Sequence, residues 1–552
     1  MKRVQVTKET PRTQRFSAKL LESEWDSYSK RTGCNIKLLS EMIGIPTDNE
    51  NSMRNFGKFA ALVKREAEKS GFKVKLISYP GKREIVNIVI DCLFKPGAPT
   101  VVLLGHYDTV ALPGASTELK VEKVRLPDGR EVEAFKGLGV SDMKSAICAA
   151  LAALKELKKS GKAQVNIRLV LCPCEEGDYP YGAYYLFNDY EGRNEIMEKV
   201  VINIDGNFGS VWHGCSGMLS QRFQFKNVPF NKFIELLKFF SRTLSEDISS
   251  PERDSEYAAS SAVPLPKTLE EKHRIGGVVK MFNRALIRKL VVKESTLGDM
   301  KMKIEATEPS GVPSCLLFEF AFLNKNAEEL YAIKEVLEGI FKKADARFPL
   351  EGVEKGYSLK LENNSFKLEV FGKSAHLGSP WLGTNAIDRA LSFFEAFQER
   401  YEPKGHFEEV MLVFHVRTTP DEKNYPDKLA EEIREKVNVA FKDFRKEDEK
   451  DIVRSTAGQL TPLTTETRAL YDFLIRKCSE VSNREFGSGV AFARFDTDRL
   501  PSCIAFGIGC GGGKSHTTDE FTPVENLKIF KDILVAIASD EKIAELIRTV
   551  SR

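Results

Sequence analysis

Five short stretches of the chain combine residue types that bind cations or move protons. The first is Gly105-His106-Tyr107-Asp108-Thr109, a His-x-Asp at the end of an apolar run. An imidazole can ligate a metal through one ring nitrogen while a carboxylate fixes its tautomer through the other. Asp108, two positions on, is placed for that second task if strand geometry continues past Leu104. By itself, His106 reads more readily as a structural histidine. The second stretch, Gly137-Leu138-Gly139-Val140-Ser141-Asp142-Met143-Lys144, delivers Asp142 through a glycine-bearing loop to a helix start. An aspartate there either caps the helix or bridges two cations about 3.5–4 Å apart. The third, Cys172-Pro173-Cys174-Glu175-Glu176-Gly177, puts two acids just after another apolar run. Adjacent acids are often a solvated turn; here one can ligate a metal while its neighbour takes a proton from water. Cys172 and Cys174 lack a second thiol pair and read as packing. Asp205 ends a fourth apolar run, and His516 comes late, in Ser515-His516-Thr517-Thr518-Asp519-Glu520. Together His106, Asp142, Glu176, Asp205 and His516 supply imidazoles and carboxylates enough for two zinc-like ions.

The elements that must carry these residues follow from periodicity. From 35 to about 210 helical and strand periods alternate, which predicts an α/β architecture with a mostly parallel central sheet. Helices are expected at 55–69 and 142–159, and strands at 73–78, 85–93, 100–104, 165–172 and 200–204. The polar residues above follow those strands directly, at the carboxyl edge where open α/β sheets bind ligands. Between 215 and 455 the pattern changes and a weak repeat emerges. Strand 221–226 with helix 230–243 matches strand 366–371 with helix 385–400. Strand 316–323 with helix 327–343 matches strand 410–418 with helix 427–444. After about 461 the α/β pattern resumes, with helix 466–481, strand 503–507 and helices beyond Pro523. The expected division is an N-terminal extension (1–30) and one α/β domain in two parts (31–214 and 456–552), interrupted by an α+β domain of two related halves (215–455).

Composition narrows the function. The chain has 82 basic and 79 acidic residues, interspersed, whereas a nucleic-acid-binding surface is strongly basic, so no nucleic-acid partner is expected. No apolar run approaches the ~18–20 residues that span a bilayer, so no membrane partner is expected either. Residues 1–20 carry six Lys/Arg and one Glu without an apolar core, which reads as a solvated extension rather than a secretory signal. Ten scattered cysteines do not make a disulfide framework, and the expected compartment is cytoplasmic. The glycine-rich stretch 507–515 ends in Gly-Lys-Ser, but a phosphate-binding loop needs glycine where Ile508 stands. Its glycines are read instead as letting backbone approach substrate beside His516.

Taken in order over about 35–535, the His-x-Asp, Gly-x-x-Asp-x-Lys, Glu-Glu, Asp and late His motifs resemble the M20 family of metallopeptidases and amidohydrolases. The architecture looks PepV-like, and the length and long lid look closest to the arginine-utilization RocB-like branch. The resemblance implies a zinc-peptidase-like catalytic domain interrupted by the lid. It implies that His106, Asp142 and Asp205 hold one divalent ion and that Asp142, Glu176 and His516 hold a second. Those ions would be zinc, with cobalt or manganese also accommodated. Glu175 becomes the general base, and Asp108 orients His106. Phe371-Gly372-Lys373-Ser374-Ala375-His376, followed by Asn385-Ala386, resembles the family's lid motif, in which the histidine stabilises the oxyanion. Arg494 matches a substrate-carboxylate arginine, though the usual Gly-Gly-Thr is missing, and Asn385 joins it at the substrate. Asp205 stands where many members carry Glu, which leans toward dipeptidase or aminopeptidase activity. The implied activity is hydrolysis of an amide bond in a small peptide or N-acyl amino acid. The alternative is a silent relative that binds metal or amino acid. A duplicated lid makes a monomer feasible, and a homodimer remains open.

Overall fold

The computed structural model describes residues 18–48, 52–112, 114–126, 129–177, 181–206, 208–215, 217–244, 285–307, 312–350, 355–373, 384–418, 425–445, 452–456, 458–491, 496–500 and 503–551. A nine-stranded sheet carries the candidate residues. Its spatial order is Lys73–Tyr79, Lys82–Cys92, Asn166–Cys172, Thr100–His106, Val200–Asn203, Ile504–Ile508, Ser210–Cys215 and Gln459–Leu460, with Gly487–Ala491 alongside Ser210–Cys215. The four central strands, from Asn166–Cys172 to Ile504–Ile508, are mutually parallel, and the flanking pairs are largely antiparallel. The central strands read as continuous apolar runs because both faces are covered: Val101, Val102, Leu103 and Leu104 are all buried.

The sequence-derived strands at 73–78, 85–93, 100–104, 165–172 and 200–204 all lie in this sheet. The helix Ser145–Ser160 packs its Ala- and Leu-rich face on the same core and ends at Gly161, left-handed at φ +66°, whose N–H reaches the Leu157 carbonyl. Residues 18–30, read from sequence as part of an extension, belong to the helix Ala18–Thr32. Its Trp25 and Tyr28 pack against the core, and its Arg31 pairs with Glu133 at 2.7 Å.

A second sheet is antiparallel throughout, in the order Tyr357–Glu362, Ser365–Phe371, Cys315–Phe322, Met300–Thr307, Ala285–Leu297, His406–Thr418, Gly217–Pro229 and Ile452–Thr456. Strict alternation marks its one-sided burial: Leu316, Phe318, Phe320 and Phe322 face in while the residues between them are half-buried. A Phe-rich core, separate from that of the first sheet, fills the space under the helices Phe230–Lys238, Ala327–Arg347, Ala386–Tyr401 and Tyr425–Phe441.

The order of this sheet is symmetric about its centre. Gly217–Pro229 and Ser365–Phe371, each leading into a helix, stand second from opposite edges. Cys315–Phe322 and His406–Thr418, also each followed by a helix, stand third.

Candidate metal centre

The ends of the parallel strands gather the candidate residues. His106 is the last residue of its strand, and the ladder carries on through the Tyr107 N–H to the Cys172 carbonyl. Tyr107 anchors the turn: its ring stacks on Phe59 at 4.7 Å, and its hydroxyl donates to the Val86 carbonyl at 2.5 Å. His106 Nδ1 lies 3.1 Å from the Asp108 carbonyl and 3.5 Å from Asp108 Oδ1, so its N–H is directed there and Nε2 is left to face the cluster. Asp108 does a second job that its sequence position did not reveal. Its two carboxylate oxygens accept the N–H groups of Glu175 (3.1 Å) and Glu176 (2.9 Å), fixing the turn that presents both acids.

Asp142 sits between the two imidazoles. Its Oδ1 is 2.9 Å from His106 Nε2, and its Oδ2 is 3.4 Å from His516 Nε2. Asp205 Oδ2 is 3.7 Å from His106 Nε2, and Glu176 Oε1 is 2.7 Å from His516 Nε2. Ligand atoms of His106, Asp142 and Asp205 lie within 4.8 Å of one another, as do those of Asp142, Glu176 and His516 and those of His106, Glu175 and Glu176. Asp142 is not a helix cap: its backbone is extended (φ −129°, ψ 86°), and the helix begins at Ser145. Cys172 and Cys174 are fully buried and belong to none of these groups.

Burial and mutual repulsion shape the electrostatics. Burial pushes Glu176 up to about 7, against the pull of His516 and with the push of Asp142. Asp205 is raised well above the carboxylate range by burial and by Asp142 beside it. Burial also opposes the charge on Asp142, but hydrogen bonds to His106 and His516 outweigh it and hold that carboxyl well below the usual range. Both histidines are raised despite burial, His106 by Asp108 and Asp142, and His516 by Glu176 and Asp142. Buried charges persist when paired or bound to metal, and this excess of oxygen donors around two imidazoles fits divalent cations. No thiolate takes part in these groups, so the donor types suit zinc, cobalt and manganese alike.

Two glycines of the stretch that leads to His516 stand where neighbouring protein leaves no room for a side chain. A Cβ on Gly507 would stand 1.8 Å from Trp212 Nε1, and one on Gly511 would stand 2.5 Å from Ser141 Oγ. Gly507→Ala should therefore lower stability by about 1–3 kcal/mol through overpacking, measurable as a shifted urea midpoint. His516 itself is held in the left-handed region at φ +63°, backbone strain located at the candidate ligand.

His376 and Arg494 lie outside the described residues. Asn385, expected at the substrate, has both side-chain polar groups committed to backbone: Oδ1 accepts from Ile387 N at 2.9 Å, and Nδ2 donates to the Ile287 carbonyl at 2.9 Å. That makes it the cap of the helix Ala386–Tyr401 and a tie to the strand Ala285–Leu297. The sequence reading missed the roles of Glu520 and Lys144. Glu520 accepts three backbone N–H groups of the Asp142 loop, and the buried Lys144 ammonium donates to the Met42 and Ile45 carbonyls at 3.1 Å each. Burial pushes Lys144 down to about 7. The available signal was a lone lysine at 144 in otherwise apolar, glycine-bearing text; Glu520, behind Thr517-Thr518-Asp519, carried none.

An α/β sheet with a buried His/Asp/Glu cluster at its carboxyl edge offers the donor set of a divalent-cation site. The chain belongs to peptidase family M20/M25/M40, whose family model matches residues 102–540. Among solved structures it is similar to the di-peptidase Dug1p from Saccharomyces cerevisiae, with a TM-score of 0.55 at 14% identity over 95% of this chain and 98% of that one. It is also similar to human carnosine dipeptidase 1, with a TM-score of 0.53 at 12% identity over 96% and 98%. At these identities the likeness is one of fold. No curated protein matches the chain. No helix among the described residues is long and apolar enough to cross a membrane.

Proposed function

We propose that this M20 peptidase is a two-metal hydrolase that cleaves the amide bond of a small peptide, in the manner of a dipeptidase or aminopeptidase, or of an N-acyl amino acid. One observation carries the reading: a single carboxylate, Asp142, turns one oxygen to His106 at 2.9 Å and the other to His516 at 3.4 Å, as a bridge between two cations requires. His106, Asp142 and Asp205 would hold one ion, and Asp142, Glu176 and His516 the other. When bound, the two ions supply Lewis acidity, polarising the scissile carbonyl and making a water acidic enough to lose a proton near neutral pH. Glu175 takes that proton and returns it to the leaving nitrogen. Asp108 keeps Glu175 in place through the Glu175 N–H and orients His106. His376 is assigned to the developing oxyanion and Arg494 to a substrate carboxylate, both on the resemblance of their motifs.

The symmetric order of the second sheet supports a lid built from two related halves, so that the half carrying His376 serves the site of its own chain. A hydrolysis panel tests the activity: the zinc-loaded chain, with dipeptides (arginine-bearing ones included) and N-acyl amino acids, should cleave members of at least one class. Two bound ions with no cleavage across both classes would point instead to a silent binding protein.

A further inference from the structure

We propose that Glu520 is a positioning residue that holds the Asp142 loop in its cation-receiving shape before any cation arrives. The proposal rests on the two-metal reading. Glu520 is buried, at 2% exposure, four residues beyond His516. One of its oxygens accepts from Ser141 N at 2.7 Å and from Asp142 N at 2.9 Å, and the other accepts from Gly139 N at 3.0 Å. Three donors converge on one carboxylate, and only a side chain with acceptors at both ends satisfies them; a glutamine would turn an NH2 toward one of the N–H groups.

The rest of the segment grips the same loop. The Ser141 hydroxyl accepts from Gly513 N at 3.3 Å and lies 3.4 Å from Ser515 Oγ. Thr522 donates to the Val140 carbonyl at 2.9 Å. From the other side, Lys144 reaches Met42 and Ile45, while its N–H closes on the Gly139 carbonyl at 2.8 Å. The segment that delivers His516 to the cluster thus also fastens the loop that delivers Asp142. A loop containing Gly137 and Gly139 has much backbone freedom to lose. Three hydrogen bonds to its amides remove that freedom on folding, so that cation binding does not have to.

The probe is Zn2+, titrated into the chelator-stripped full chain as wild type, Glu520→Gln and Glu520→Asp. Because both ions share Asp142, both should bind about 10- to 100-fold more weakly in Glu520→Gln, the usual scale for a residue that orients a ligand. Glu520→Asp, which keeps the acceptors with shorter reach, should lose less, and the visible spectrum of Co2+-loaded Glu520→Gln should shift. In the metal-free wild type, amides 139, 141 and 142 should be protected from hydrogen exchange, a readout that needs no variant to fold. Wild-type Zn2+ affinity in both variants, or unprotected amides in the wild type, overturns the proposal and leaves the two-metal reading standing. A wild type that binds no Zn2+ overturns both.

Discussion

Glu175→Gln should keep both cations and lose turnover by roughly 10²- to 10⁴-fold, the contribution of a general base. Glutamine preserves the volume of a side chain at 9% exposure and the backbone N–H that Asp108 holds at 3.1 Å, so the fold and the Glu176 ligand next door stay in place. It cannot accept a proton. Glu175 belongs to neither of the ligand groups built around Asp142, although it lies in the group with His106 and Glu176. Metal titration should therefore give a wild-type stoichiometry and dissociation constants within a few-fold, while kcat on whichever substrate the panel identifies collapses. Undiminished kcat would remove Glu175 from the chemistry. Loss of an ion would make it a ligand instead.

Asp142→Asn should be the most damaging single change to metal binding. In the proposed two-metal arrangement Asp142 alone is shared by the His106/Asp205 group and the Glu176/His516 group; the third group, which repeats His106 and Glu176, does not contain it. An amide offers one acceptor and no charge where two oxygens now face two imidazoles at 2.9 and 3.4 Å. Both affinities should fall by more than the 10- to 100-fold typical of a residue behind the ligands, and hydrolysis should fall with them. Asp205→Asn and His516→Ala provide the contrast, each weakening one ion more than the other. Equal metal content in Asp142→Asn and wild type would exclude the bridge.

What the sequence revealed follows from how local each signal was. His106, Glu175, Glu176 and Asp205 stand at or just past the ends of apolar strands, a short-range pattern that both predicts the strand and marks its carboxyl edge. His516 was legible as an imidazole in a glycine-rich loop, in the right order behind the other motifs. The helix expected over 142–159 begins three residues late, because the stretch Val140–Lys144 is taken up by long-range bonds rather than by a helical start. Glu520 grips amides some 380 positions earlier in the chain, and no periodicity encodes such a contact. Asn385 carries two signals at once: it stands in a family-like motif, and as an Asn just before an apolar helical run it accepts from the Ile387 amide as the helix cap.

The most direct test is an anomalous-scattering map of crystals of the zinc-loaded chain, recorded at the zinc edge. Two peaks about 3.5–4 Å apart, both touching Asp142, with His106 and Asp205 on one and Glu176 and His516 on the other, are the predicted result. A single peak, or zinc held by other residues while this cluster stays empty under saturating metal, would contradict the two-metal centre.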